Sequence, residues 1–126
     1  MVRLGPVVHC IAMTKYLISF PGSAMGHLTA AQMQQAGTES RAVIQEAKDA
    51  GVYVFGGGIN EDVPSVMVAG DGAQTHETYP QTTEFNGGFT VLEVPTREEA
   101  LVWAAKIAAA CQCKQELREF MYDPMS

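Results

Sequence analysis

The spacing of apolar and polar positions divides the chain into alternating strands and helices. Residues 15–20 (KYLISF) are rich in β-forming side chains and end at a Pro-Gly pair, which predicts a first strand. Thr29 and Gln32 form a capping-box pattern, and apolar or small residues then recur at helical spacing. This pattern predicts a first helix from Ala30 to Ala50, and Gly51 supplies a stop signal.

The middle of the chain combines short apolar runs with glycines. Residues 52–55 predict a second strand, and three glycines at 56–58 follow it directly. The triple glycine lacks the Lys-Ser/Thr pair of a phosphate loop, so it favours a bulge or a close backbone approach. Residues 63–69 predict a third strand, which a Gly-Asp-Gly turn connects to a short return strand over residues 73–76.

The last part of the chain predicts a strand, a helix and a strand. Residues 88–94 alternate in side-chain direction, so that Phe89, Val91 and Glu93 share one face. A second capping-box pattern at residues 96–99 opens a helix that extends to about Cys111. Residues 114–121 then predict a final strand.

The predicted order is β-α-β-β-(short β)-β-α-β, which indicates an α+β, ferredoxin-like domain with two helices on one face of an antiparallel sheet. Several strands nevertheless carry apolar residues towards both faces, as with Leu17 beside Ile18 and Val91 beside Leu92. Leaving a few hundred Å² of apolar surface uncovered costs several kcal/mol at about 25 cal/mol per Å². We therefore expect a homodimer in which a second copy covers the free face.

Length and charge narrow the classes of function. The 126 residues fit a single domain, and we expect residues 13–126 to form it, with residues 1–12 as an N-terminal extension outside the core. No apolar run approaches the roughly 20 residues of a membrane helix, so no membrane association is expected. The net charge of −6, with lysines and arginines scattered singly, argues against nucleic acid as a partner.

The three cysteines point to a reducing compartment. An odd count without a convincing secretory signal favours free thiols and a cytoplasmic location. Cys111 and Cys113 are separated by one residue, which is neither the redox spacing nor half of a usual zinc site. We therefore expect no metal and no cofactor.

The segment HETYPQTTEFNGGF, residues 76–89, gathers the groups that can move a proton. His76 is the first candidate for catalysis because imidazole, with a pKa of about 6.5, serves as acid or base near neutral pH. Glu84 is the candidate that orients it, and Tyr79 is a candidate substrate contact. The plainer interpretations are a solvated loop histidine, a solvated carboxylate and a packed tyrosine ring.

Three further residues are lesser candidates for binding a ligand. His27 precedes the first helix in a glycine-containing loop that could close over a cleft. Asp62 follows the triple glycine, and Arg118 lies on the last strand, where each could bind an acidic or hydroxylated molecule. Ordinary surface charge is the alternative for both.

The chain resembles the YCII-related family, in the branch named for an Asp-Gly-Pro-Phe signature. The resemblance runs from about Met13 to Tyr122 and includes Thr14-Lys15-Tyr16 at the opening strand and residues 28–33 at the first helix. Gly87-Gly88-Phe89 and residues 98–104 also match the family pattern. The signature itself has changed, since its four positions are His76-Glu77-Thr78-Tyr79 here and only the aromatic residue is kept in kind.

The resemblance implies a dimeric α+β barrel with a cleft near the sheet and the signature loop, and it places His76 on the signature aspartate. Similar folds include muconolactone isomerases, small cofactor-free monooxygenases and, in the YCII group, a dehydrochlorinase of chlorinated hydroxyquinols that uses a histidine–aspartate pair. Since a fold does not fix a function, three hypotheses remain open. They are a cofactor-free proton-transfer enzyme for a small cyclic or aromatic substrate, a small-ligand-binding module, and a structural dimer without a ligand.

Overall fold

The computed structural model describes residues 12–126, so nearly all of the expected N-terminal extension lies outside the described residues. Two short 3-10 turns lie at Gly22–Met25 and Pro80–Thr82. The strands and α-helices, in chain order, are β1 (Thr14–Phe20), α1 (Ala30–Asp49), β2 (Tyr53–Gly58), β3 (Met67–Val68), β4 (Gln74–Thr75), β5 (Gly88–Val94), α2 (Arg97–Cys111) and β6 (Glu116–Glu119).

The main sheet has four strands in the order β2-β5-β1-β6, and every neighbouring pair is antiparallel. Together with two connecting helices, this is the arrangement of a ferredoxin-like β-α-β-β-α-β unit. The predicted α+β class is therefore confirmed. Strands β3 and β4 pair only with each other, as a separate two-stranded hairpin inserted between β2 and β5.

Both helices begin where the sequence predicts. Thr29 Oγ1 accepts a hydrogen bond from the Gln32 N–H at 3.2 Å, and Gln32 Oε1 accepts one from the Thr29 N–H at 2.8 Å. At α2 the Thr96 hydroxyl accepts a hydrogen bond from the Glu99 N–H at 3.2 Å, which is one half of the predicted capping box. These bonds satisfy N–H groups that have no partner within the helix.

The core lies between the two helices and one face of the sheet. Ile18 of β1 and Leu92 of β5 are buried together with Ala47 of α1 and Ile107 of α2. Since both helices contact the same pair of strand residues, they cover the same sheet face. Side chains one position away along the strands, such as Leu17, therefore point to the face that carries no helix.

Several strands differ in length from the predictions; β4 is limited to Gln74–Thr75, and β1 begins one residue earlier than predicted. Strand β3 is limited to two residues of the predicted 63–69, and Pro64, which has no N–H to donate, interrupts the rest. Strand β6 is shorter than residues 114–121. Strand β2 is longer than predicted, because the triple glycine pairs with β5 after a register shift between Tyr53 and Phe55.

Gly87 lets the loop before β5 pass close to the end of β1. Its φ is 87°, in the left-handed region that favours glycine. A Cβ at this position would collide with the carbonyl oxygen of Phe20 and would lie 2.6 Å from the Gly22 nitrogen. Both the backbone angle and the available space therefore require a residue without a side chain.

We expect Gly87→Ala to lower the free energy of unfolding by more than about 2 kcal/mol, because it adds a backbone collision to an unfavourable φ. Gly51→Ala, at φ 74° with open space around the new Cβ, isolates the backbone angle and should cost about 1 kcal/mol. Gly70→Ala has open space and an ordinary φ, so it should change stability by less than about 0.5 kcal/mol. Urea denaturation of the three variants measures this order, and an equal loss in Gly51→Ala and Gly87→Ala would contradict the collision.

Candidate functional site

The loop from His76 to Gly87 is organised by its own short hydrogen bonds. Its 3-10 turn begins at Pro80, where proline fits because the first N–H of a helical turn needs no partner. The Phe85 N–H donates to the Thr82 carbonyl at 3.0 Å, and the Thr83 hydroxyl donates to the Pro80 carbonyl at 3.1 Å. The second half of the loop is therefore folded back on itself.

Asn86 connects this loop to two other turns. Its side-chain oxygen accepts a hydrogen bond from the Gly22 N–H at 2.9 Å, next to the end of β1. Its side-chain nitrogen lies 3.4 Å from a carboxylate oxygen of Glu61, in the turn after β2. One amide side chain thus fixes the last part of the loop relative to two strand ends.

The sheet face opposite the helices carries a mixture of aromatic, aliphatic and charged side chains, and we call it the helix-free face. Cross-strand partners lie on the same face of an antiparallel pair, so the register identifies its members. They are Lys15, Leu17 and Ser19 of β1, Phe55 of β2, Phe89, Val91 and Glu93 of β5, and Glu116 and Arg118 of β6.

A cavity of about 400 Å³ lies where the loop meets the helix-free face, and we call it the loop cavity. Its size is in the range of small-molecule sites. The rings of Phe85 and Phe89 stack in its lining, with centroids 4.9 Å apart and planes at 30°. Glu84 and Arg118 also line it, so the fold brings together two of the residues predicted from sequence.

The charges of the loop cavity include two carboxylates and one guanidinium group. Arg118 Nη1 donates to Glu116 Oε1 at 3.0 Å, which leaves the other guanidinium N–H groups available. Ser19, only 6% exposed, adds a hydroxyl to the lining. With carboxylate acceptors and guanidinium donors around an aromatic pair, the cavity suits an aromatic or cyclic molecule that carries hydroxyl or carbonyl groups.

The other predicted site residues lie outside the lining of the loop cavity. His76 directly follows β4 and is exposed, and Tyr79 is 66% exposed in the same loop. Within residues 12–126 the ion pairs are those of Lys15, Lys106 and Arg118, and none joins His76 to Glu84. His27 and Asp62 are exposed in the connections before α1 and after β2.

A second and larger cavity lies at the other end of the helix-free face. Its volume is about 640 Å³, and the chain after β6 contributes much of its lining, including Phe120 and Tyr122. Lys15 and Glu93 form an ion pair within this lining, with the atoms Nζ and Oε2 3.4 Å apart. We call it the tail cavity.

Phe85, Asn86 and Ser19 are lining residues that sequence reasoning did not select. The polar run before Gly87 drew attention to proton-carrying groups, whereas the cavity is formed by the aromatic and amide residues at its end. Asn86 accepts its hydrogen bond from Gly22, which is distant in sequence, so local turn chemistry gives no signal for this contact.

Among residues 12–126, no group of three or more histidine, cysteine, aspartate or glutamate side chains is placed to hold a metal ion. The helices in this range also lack the combination of length and apolar character that crossing a membrane requires.

Comparison with known proteins adds one finding. The family model described as the YCII-related domain matches residues 21–119, which is most of the chain. No curated protein matches the chain significantly.

Proposed function

The chain belongs to the YCII-related family, and from that premise we propose that it binds a small hydroxylated aromatic or cyclic molecule in the loop cavity. The observation that carries the proposal is the shared lining: Arg118, Glu84 and the stacked rings of Phe85 and Phe89 surround one space of about 400 Å³. The rings offer a surface for stacking a planar ligand. The charged groups supply donors and acceptors for its oxygen atoms.

The helix-free face supports a homodimer as part of this proposal. Phe55 is 64% exposed on this face, and Val91 stands beside it as its cross-strand partner. A second copy stacking sheet on sheet would remove these side chains from water and form the dimeric α+β barrel. It would also close the loop cavity and exclude solvent from the bound molecule.

A cytoplasmic location is also part of the proposal, and its support is the free state of Cys111 and Cys113.

Cofactor-free proton transfer is the second candidate, favoured by the carboxylate of Glu84 in the same lining as Arg118. This mechanism requires the loop to carry His76, which lies exposed outside the lining, into contact with Glu84. His76 then takes a proton from a carbon next to a substrate carbonyl, and Glu84 orients the imidazole. The electron pair of the broken C–H bond moves onto the carbonyl oxygen, where the Arg118 guanidinium stabilises the negative charge. Tyr79 contacts the substrate on the same loop.

The lesser candidates belong to segments that Asn86 holds. Asp62 is next in sequence to Glu61, whose carboxylate accepts a hydrogen bond from the Asn86 side chain. His27 follows the turn that contains Gly22, whose N–H donates to Asn86. We propose them as additional contacts to a ligand that extends beyond the cavity.

We expect catechol, as a hydroxylated aromatic probe, to bind the wild-type protein and to bind Arg118→Met about tenfold more weakly, because the guanidinium donors are lost. Arg97→Met, which removes a positive charge from the first turn of α2, is the matched control and should bind like wild type. Isothermal titration calorimetry measures both. Equal affinity in wild type and Arg118→Met would show that the loop cavity is not the binding site.

If the protein transfers protons, it should accelerate exchange of deuterium into cyclohexanone at the carbons next to the carbonyl, followed by NMR. His76→Ala and Glu84→Gln should each reduce the rate by about a hundredfold, in keeping with loss of a general base. Glu77→Gln, the neighbouring loop carboxylate, should leave the rate unchanged. Binding of catechol without any accelerated exchange would favour the binding module over the enzyme.

We expect a stable dimer at micromolar concentration by size-exclusion chromatography with light scattering. Phe55→Asp should convert it to a monomer, because the charge would be buried against the partner's sheet. Val102→Asp, at a position 57% exposed on α2, is the matched control and should remain dimeric. A wild-type monomer, or equal dissociation in both variants, would contradict an interface at the helix-free face.

A further inference from the structure

A third cavity lies on the helix side of the sheet, between α1 and the ends of β2 and β5. Its volume is about 410 Å³, and we call it the glycine cavity. Gly56 and Gly58 of β2 and Gly88 of β5 form its floor, and Gly37 and Arg41 of α1 form its roof. It takes no part in the function proposed above.

The inward positions of β2 and β5 at this end of the sheet supply little bulk of their own. Gly56 faces Thr90 across the pair, and Gly58 faces Gly88. Rings from neighbouring positions lie over two of these glycines: a Cβ at Gly88 would be 2.6 Å from a Phe20 ring carbon, and one at Gly56 would be 2.9 Å from the Tyr53 hydroxyl oxygen. The cavity therefore lies beside the side chains of Phe20 and Tyr53, which belong to its lining.

The roof of the cavity has small side chains as well. Gly37 lies in the interior of α1, where glycine costs about 1 kcal/mol relative to alanine. Ser40 lies three residues further on, and its hydroxyl donates to the Gly37 carbonyl at 3.2 Å. Both layers therefore lack bulk at the same place.

The charge of the glycine cavity is positive, unlike that of the loop cavity. Arg41 is the one charged side chain among the described residues that line it. Its Nη1 lies 3.4 Å from the Gly37 carbonyl oxygen, a weak contact that leaves the other guanidinium donors free. The Lys48 ammonium group lies 5.3 Å from the ring centre of Tyr53, another lining residue, and adds a second positive charge nearby.

The remaining lining is apolar or neutral. Ile44 and Ile107 give an aliphatic wall, and the Tyr53 side chain lies beside the floor, since a Cβ at Gly56 would be 2.9 Å from its hydroxyl oxygen. Cys111 adds a thiol whose pKa burial raises to about 11, so it carries no negative charge at neutral pH. No carboxylate of residues 12–126 lines this space to repel an anion.

We propose that the glycine cavity binds a small organic anion, a carboxylate with an aromatic or other apolar body, with the carboxylate at Arg41 and the body against the rings of Phe20 and Tyr53. A guanidinium group matches a carboxylate with two parallel hydrogen bonds. The apolar wall removes the body of the ligand from water. The lining rings of Phe20 and Tyr53 offer it an aromatic surface.

The test uses benzoate as the probe and benzamide as its neutral analogue, measured by isothermal titration calorimetry on the full chain. Benzoate should bind saturably below about 10 mM, and benzamide at least about tenfold more weakly. Arg41→Met should weaken benzoate by about tenfold, because it removes the charged partner and keeps the length of the side chain. Arg97→Met, in the first turn of α2 and outside the lining of all three cavities, is the matched control and should bind benzoate like wild type.

A second variant tests the location by filling the space. A Cβ at Gly58 would meet only the Gly87 carbonyl oxygen, at 3.5 Å, so Gly58→Leu adds its side chain without a backbone collision and should abolish benzoate binding. Circular dichroism confirms folding, and if Gly58→Leu does not fold, Arg41→Met decides alone. The proposal is wrong if benzoate fails to bind, binds Arg41→Met or folded Gly58→Leu as tightly as wild type, or loses affinity in Arg97→Met.

Discussion

Strand β1 pairs along its whole length with β5 and over four residues with β6, and these antiparallel ladders hold the molecule together. Because side chains alternate along a strand, the pairing separates the chain into two sides. Tyr16 and Ile18 enter the core beneath both helices, and Leu17 and Ser19 enter the helix-free face. The core and the candidate site are therefore opposite faces of the same strands.

The two sides then differ in how they create space. On the helix-free face the space is left by the absence of a covering layer, so loop residues and the chain after β6 shape the loop and tail cavities. On the helix side the covering layer is present, and the space lies between α1 and a strand segment rich in glycine, beside the rings of Phe20 and Tyr53. The first kind of cavity is open on a sheet face that no helix of this chain covers. The second is complete within one chain.

The chemical character of the cavities follows from the same division. The loop cavity combines Arg118 with Glu84 and Glu116, a mixture suited to hydroxyl and carbonyl groups. The glycine cavity has Arg41 as its charged lining residue and favours an anion. Gly87 and Asn86 make the first arrangement possible, since the glycine admits the backbone of β1 and the amide fixes the loop on the neighbouring turn.

The elements of this protein were determined locally and could be predicted from sequence. The capping residues Thr29 and Thr96 form hydrogen bonds within their own first helical turn. The alternation of side chains along residues 88–94 indicates which positions share a face of the sheet. The family resemblance identified from Gly87-Gly88-Phe89 and its flanking segments is confirmed by the family match. The apolar positions at Leu17 and Val91 on the helix-free face likewise follow from alternation, whereas the dimer inferred from them stays a prediction.

The composition of each cavity was decided only by tertiary structure, because its members come from segments that are distant in sequence. Glu84 and Arg118 were both selected from sequence, yet only the pairing of β6 beside β1 and the anchoring of the loop by Asn86 place them in one lining. His76 was selected on equal grounds of chemistry, and the fold leaves it exposed outside that lining. Sequence fixes which groups are able to react, but the direction of a loop side chain depends on contacts with other segments, and those contacts form only when the chain is folded.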